Sequence, residues 1–223
     1  MRCMTLARFG ELWRRNLVPG TPDRSQRVFE ALMASYSEPH RHYHNADHID
    51  LCLGLLDDAR DQAEHPDAVE LAIWFHDVVY DGRLADNEAR SGNWFAAQSE
   101  GQLRDDLRLR VCRLIMSTTH DHHPEGRDEK VLVDIDLASF GLDWPQFAED
   151  GKNIRREQLH LNDQAFFRKQ MAFQESLLQR QRFYLTDYFF GRFEQQAREN
   201  LRRHLDQLNA KGFFAAGKTC PDT

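Results

Sequence analysis

At 223 residues the chain fits one domain, or a domain with an extension, and is long enough to bury a substantial core. Its 29 Lys+Arg against 36 Asp+Glu give a formal net charge of -7, with no block of like charge to serve as a nucleic-acid arm, so polyanion binding is not the expected role. No apolar signal segment with a small-residue cleavage site and no run of about 18 apolar residues occurs, which leaves no expected membrane partner.

The N-terminal segment MRCMTLARFGELWRRNLVPG carries the first helical pattern, near 5–17, and a second follows near 23–37, with Pro19, Pro22 and Pro39 as punctuation. Further helices are expected near 45–61, 67–80, 85–99, 103–119, 128–139, 145–182 (whole or broken) and 187–209, because apolar residues recur at three and four rather than at two. Val69, Ala72, Ile73, His76 and Tyr80 form one such face; Phe193, Ala197, Leu201, His204 and Leu208 form another. The reading is an all-α chain, 1–223 as one helical domain, with a core at about 23–142 and a helical extension at about 145–210 that is rich in Arg, Gln and Phe. Only Pro221 falls in a terminal tail. The four cysteines, Cys3, Cys52, Cys112 and Cys220, show no Cys-x-x-Cys spacing, and Cys52 and Cys112 lie in apolar helical patterns, which fits reduced thiols in a cytoplasmic protein.

The stretch RHYHNADHIDLCL, Arg41 to Leu53, is where the chain's eleven histidines begin to concentrate. Imidazole is both the commonest metal ligand and the side chain best suited to moving protons near neutrality. If the helix begins near Asn45, His44 and His48 would lie one above the other along one edge. A solvated loop is the competing reading. Downstream, AIWFHDVVYDG places His76 and Asp77 against Ile73 and Phe75, where burying an ionisable pair is costly without a partner such as a divalent cation. The alternative there is a helix-terminal histidine with a capping aspartate. In VLVDIDLASFG, Asp134 and Asp136 point about 200° apart on a helix, so only one of them can face a given site. Taken alone, either could instead be a cap or part of a solvated face.

In their order, His48, then His76-Asp77, then an aspartate in DIDL resemble the His...His-Asp...Asp signature of the HD-domain superfamily of metal-dependent phosphohydrolases. More narrowly, Arg41-x-Tyr43-His44-Asn45-x-x-His48-Ile49, WFHDVVYDG, Asn87-Glu88-x-x-Ser91, DIDLASFG and AREN resemble a family of predicted phosphohydrolases within it, over about residues 8 to 210. YHNxxH also resembles the corresponding stretch of cyclic-nucleotide phosphodiesterases. The resemblance implies an HD-domain-like helical bundle. It implies a divalent ion held by His48, His76, Asp77 and Asp136, with Asp134 as the alternative last ligand, and it makes His44 the proton donor.

The implied activity is hydrolysis of a small phosphoester, nucleotides included, by water activated on the ion, with Asp77 counted among the catalytic residues. Mn²⁺, Fe, Co²⁺, Ni²⁺, Zn²⁺ and Mg²⁺ are all candidate ions. Arg41, Glu88 and His120 are candidates for a phosphate contact or a second ion, as is Arg83 for phosphate; His122 and His123 read as solvated loop residues. Asn87 stands where relatives often carry histidine, and asparagine is a poor metal ligand. A di-iron oxygenase and a non-catalytic metal- or nucleotide-binding protein are the rival readings. Oligomeric state is not legible.

Overall fold

The computed structural model describes residues 3–214; Cys220 and Pro221 lie outside the described residues. Among the described residues the chain is all-α, with ten α-helices, two 3-10 turns at Arg60–Gln62 and Leu137–Gly141, and an isolated bridge between Leu17 and Leu103 in place of any sheet. None of these helices is long and apolar enough to cross a membrane. The chain divides into two compact units, one up to Asp136 and one from Leu137.

The first unit contains α1 (Leu6–Arg15), α2 (Ser25–Tyr36), α3 (Ala46–Asp58), α4 (Pro66–Phe75), α5 (Asn87–Ser99), α6 (Asp105–Ser117) and α7 (Arg127–Asp136). α4 organises it. Pro66 opens this helix at a position where its missing N–H costs nothing. Every residue from Ala68 to Phe75 is buried, as expected of a helix that is apolar around its whole circumference. The exception in composition is Glu70, whose carboxylate receives Arg8 Nε at 2.7 Å and Arg60 Nη1 at 2.8 Å, so the buried charge is paired. Helices α3, α5, α6 and α7 all pack on α4. Its aromatic end is met edge-on by Phe9, 5.2 Å from Trp74, and by Phe95, 4.8 Å from Phe75.

α4 stops at Phe75, short of the expected end near 80. The reason is local competition for backbone groups. Ser91 Oγ accepts the N–H of Val79, which a longer helix would send to Phe75, while Arg41 takes the carbonyls of Asp77 and Val78. His76 and Asp77 therefore sit in the turn that ends a rigid buried helix, and Tyr80 lies beyond it.

The second unit contains α8 (Trp144–Glu157), α9 (Asp163–Gln179) and α10 (Asp187–Ala210). Of the two readings of 145–182, whole or broken, the structure has the broken one, with the break after Glu157. There Asn162 caps α9 by accepting the Ala165 N–H, and Arg155 donates to the carbonyls of Gln158 and Leu161. The AREN stretch of α10 also ties backbone: Arg198 donates to the carbonyls of Leu178, Arg180 and Gln181, and Asn200 Nδ2 to those of Phe140 and Leu142. Gly141 is needed where the chain passes α10, because a Cβ there would stand 2.6 Å from Phe193 Cβ and 3.0 Å from its carbonyl oxygen.

Candidate metal centre

Three segments of the first unit converge at the end of α4. Asn45 caps α3, its side chain accepting the N–H of Asp47 at 2.9 Å and of His48 at 3.4 Å, so His48 enters in the first helical turn with its side chain buried. His76 and Asp77 come from the turn after α4, and Asp136 is the last residue of α7. His48 Nε2 lies 3.3 Å from His76 Nε2 and 3.3 Å from Asp136 Oδ1, and the third edge, His76 Nε2 to Asp136 Oδ1, is 3.5 Å. Asp77 Oδ2 joins at 3.1 Å from His76 Nε2 and 3.6 Å from His48 Nε2. Donors about 2.1 Å from a common ion stand roughly 3.0 Å apart at right angles and roughly 3.4 Å apart at the tetrahedral angle. The observed edges match that spacing.

The tautomer of His76 fits as well. Its Nδ1 is 3.0 Å from the Ile73 carbonyl, which can only accept, so Nδ1 carries the proton and a neutral His76 turns the lone pair of Nε2 toward the cluster. Two imidazole nitrogens and carboxylate oxygen make a donor set that could hold a divalent metal ion.

Electrostatics show what holds the cluster together otherwise. Burial alone would lower the pKa of His76, yet the adjacent Asp77 and Asp136 carboxylates outweigh it and hold the imidazole well above its usual value. Asp136 is pulled well below the usual carboxylate range, against its burial, by His120, His48 and His76; Asp77 is likewise lowered, chiefly by His76 and His44. Glu88, on α5, is raised by burial and then by the charges of Asp77 and Asp136.

The remaining expected residues divide. His120 reaches the site: Nε2 is 3.1 Å from Asp136 Oδ2, from a backbone at φ 59° that few non-glycine residues adopt. His122 and His123 are exposed. Asp134 is buried, and the short contacts to His48 and His76 come from Asp136. His44 does not share a helix edge with His48, because it precedes the Asn45 cap; its ring stacks on Tyr80 at 4.0 Å and lies 6.2 Å from that of His48.

Arg41 is buried among acceptors of the protein itself. Its side chain is 1% exposed, with Nε on Glu38 at 2.9 Å, Nη1 on the carbonyls of His44 and Asp77, and Nη2 on that of Val78. Arg83 pairs with Asp81 through a side chain that is 72% exposed. Asn87 exchanges hydrogen bonds with the backbone N–H and carbonyl of Asp81, which secures the loop after Asp77 and accounts for asparagine there.

Sequence reading missed two neighbours. Cys52 Sγ lies 3.9 Å from His48 Nδ1, and burial with the nearby Asp136 and Asp77 charges keeps it a thiol. Its spacing of four from His48 was the available signal. Tyr80, the stacking partner of His44, was assigned to the apolar face of a helix that ends before it. Among the described residues no disulfide joins Cys3, Cys52 and Cys112, and Cys112 is only half-buried.

No protein-family model, curated protein or solved structure matches the chain.

Proposed function

We propose that the chain is a metal-dependent phosphohydrolase acting on a small phosphoester, nucleotides among the candidates. The observation that supports this reading is the meeting of His48, His76 and Asp136 at mutual distances of 3.3–3.5 Å, with Asp77 Oδ2 3.1 Å from His76 Nε2 and 3.6 Å from His48 Nε2 and a further imidazole, His44, held close by. A divalent ion at this point would lower the pKa of a bound water and offset charge on the phosphoryl oxygens. The mixed nitrogen and oxygen donors suit Mn²⁺, Fe²⁺, Co²⁺, Ni²⁺ or Zn²⁺ better than Mg²⁺, which prefers oxygen.

The protein's own groups have separate tasks. Asp77 and Asp136 supply negative charge at the centre, and the Ile73 carbonyl keeps His76 aimed. His120 holds the second oxygen of Asp136, which leaves Oδ1 to face His48 and His76. His44 transfers a ring proton to the leaving oxygen, the step in which a positioned acid typically contributes roughly 10²–10⁴-fold. The test is a panel of phosphomonoesters and phosphodiesters, including nucleoside monophosphates and cyclic nucleotides, incubated with chelator-stripped protein resupplied with each ion. Hydrolysis that needs the ion and is lost in His76→Ala is expected. Turnover indistinguishable from His76→Ala across the panel and all ions would contradict the reading.

A further inference from the structure

A guanidinium with almost no solvent exposure is costly to place, so what its N–H groups bind shows what it does there. Arg41 binds mainly backbone. Nη1 donates to the carbonyl of His44 at 3.1 Å and of Asp77 at 2.5 Å, and Nη2 donates to that of Val78 at 2.9 Å. One nitrogen thus joins the loop before α3 to the turn after α4, at the very residues assigned as acid and ligand.

We infer that Arg41 is the positioning residue of this site, locking His44 in register with Asp77; the inference rests on the proposed phosphohydrolase reading for the meaning of that register. A second contact path runs in parallel. The guanidinium carbon sits 5.9 Å from the centre of the Tyr80 ring, and Tyr80 stacks on His44 at 4.0 Å with planes 21° apart. On the other side it lies 5.4 Å from the centre of Tyr36, whose hydroxyl donates to the Trp74 carbonyl within α4, so the arginine is referred to the most buried helix of the unit. Glu38 balances the charge at 2.9 Å from Nε.

Lysine cannot do the same work. Its ammonium is a compact point donor without the planar fork that spans three carbonyls on two segments.

The test uses the full chain loaded with Zn²⁺. Ring protons of His44 lie in the ring current of Tyr80, so their NMR shifts report the stack without any turnover. In Arg41→Lys the helical circular dichroism and the bound metal should persist, while the His44 shifts move toward those of a free imidazole. For a phosphoester with a poor leaving group, kcat should fall roughly tenfold to a hundredfold with little change in KM, and an activated leaving group should lose less. Millimolar guanidinium should restore part of the shift and of the rate to Arg41→Ala.

Unchanged His44 shifts in both variants would overturn the inference. So would a raised KM at constant kcat, which would make Arg41 a phosphate contact, or unfolding of Arg41→Lys, which would place it in the framework of the fold. If the wild type hydrolyses no phosphoester, the functional reading fails, and the His44 shifts still decide whether Arg41 holds the loop.

Discussion

His44 and His48 are four apart in sequence but separated by the Asn45 cap, and that cap gives them different surroundings. His48 is fixed in the first turn of α3 beside His76, whereas His44 rests on Tyr80. Replacing His44 by Ala should leave the metal bound and slow hydrolysis of a poor-leaving-group substrate by roughly 10²–10⁴-fold. An activated ester such as a p-nitrophenyl phosphate should suffer much less, since its leaving oxygen needs no proton. Equal losses for both, with metal retained, would assign His44 to binding; loss of metal would make it a ligand. The two aspartates of DIDL separate in the same way. Asp136→Ala should empty the site in elemental analysis and Asp134→Ala should not, and the reverse result would move the last ligand to Asp134.

The order of His48, His76-Asp77 and Asp136 was legible because residue type and chain order survive in the sequence. The partners of Arg41 were not legible, because they are backbone carbonyls, which no side-chain pattern encodes.

Among the elements, nine helical segments were visible as periodic apolar faces, and the tenth comes from a break within 145–182 that periodicity left open. Their ends were less legible, as α4 illustrates: its end is set by Ser91 and Arg41, both remote in sequence. LASFG and AREN meet a similar need in the second unit. Gly141→Ala should cost about 1–3 kcal/mol, since the new methyl would press on the Cβ and carbonyl of Phe193. Asn200→Ala, which strands the carbonyls of Phe140 and Leu142, should also cost about 1–3 kcal/mol; denaturant titration measures both.

His204 supplies a pH signature for α10. Burial, then Lys211, lowers its pKa to about 4, and it is 3.0 Å from Gln174 Oε1 through Nδ1. The folded chain therefore keeps it neutral while the unfolded chain takes up a proton near pH 6.5. Stability from this residue is complete above about pH 6.5 and falls toward about pH 4, by at most about 3 kcal/mol. In His204→Asn, whose amide can still donate to Gln174, that slope should vanish; an unchanged slope would show that the residue is not held neutral.

Across the whole molecule, all the residues assigned to the metal centre belong to the unit ending at Asp136, and they come from segments distant in the chain. An ion held by His48, His76, Asp77 and Asp136 would bind the native arrangement and not the unfolded chain, so it should raise the melting temperature in a concentration-dependent way. The all-α class was readable from periodicity, whereas the convergence of these segments depends on packing around α4 that pattern alone does not specify.

His48, His76 and Asp136 could hold a metal ion, and with Asp77 they are proposed to form one divalent-ion site. Equilibrium dialysis of chelator-stripped protein against Co²⁺, followed by elemental analysis of wild type and His76→Ala side by side, addresses it most directly. Close to one equivalent per chain is expected in the wild type, with most of it lost in the variant; equal occupancy in the two proteins would rule the site out.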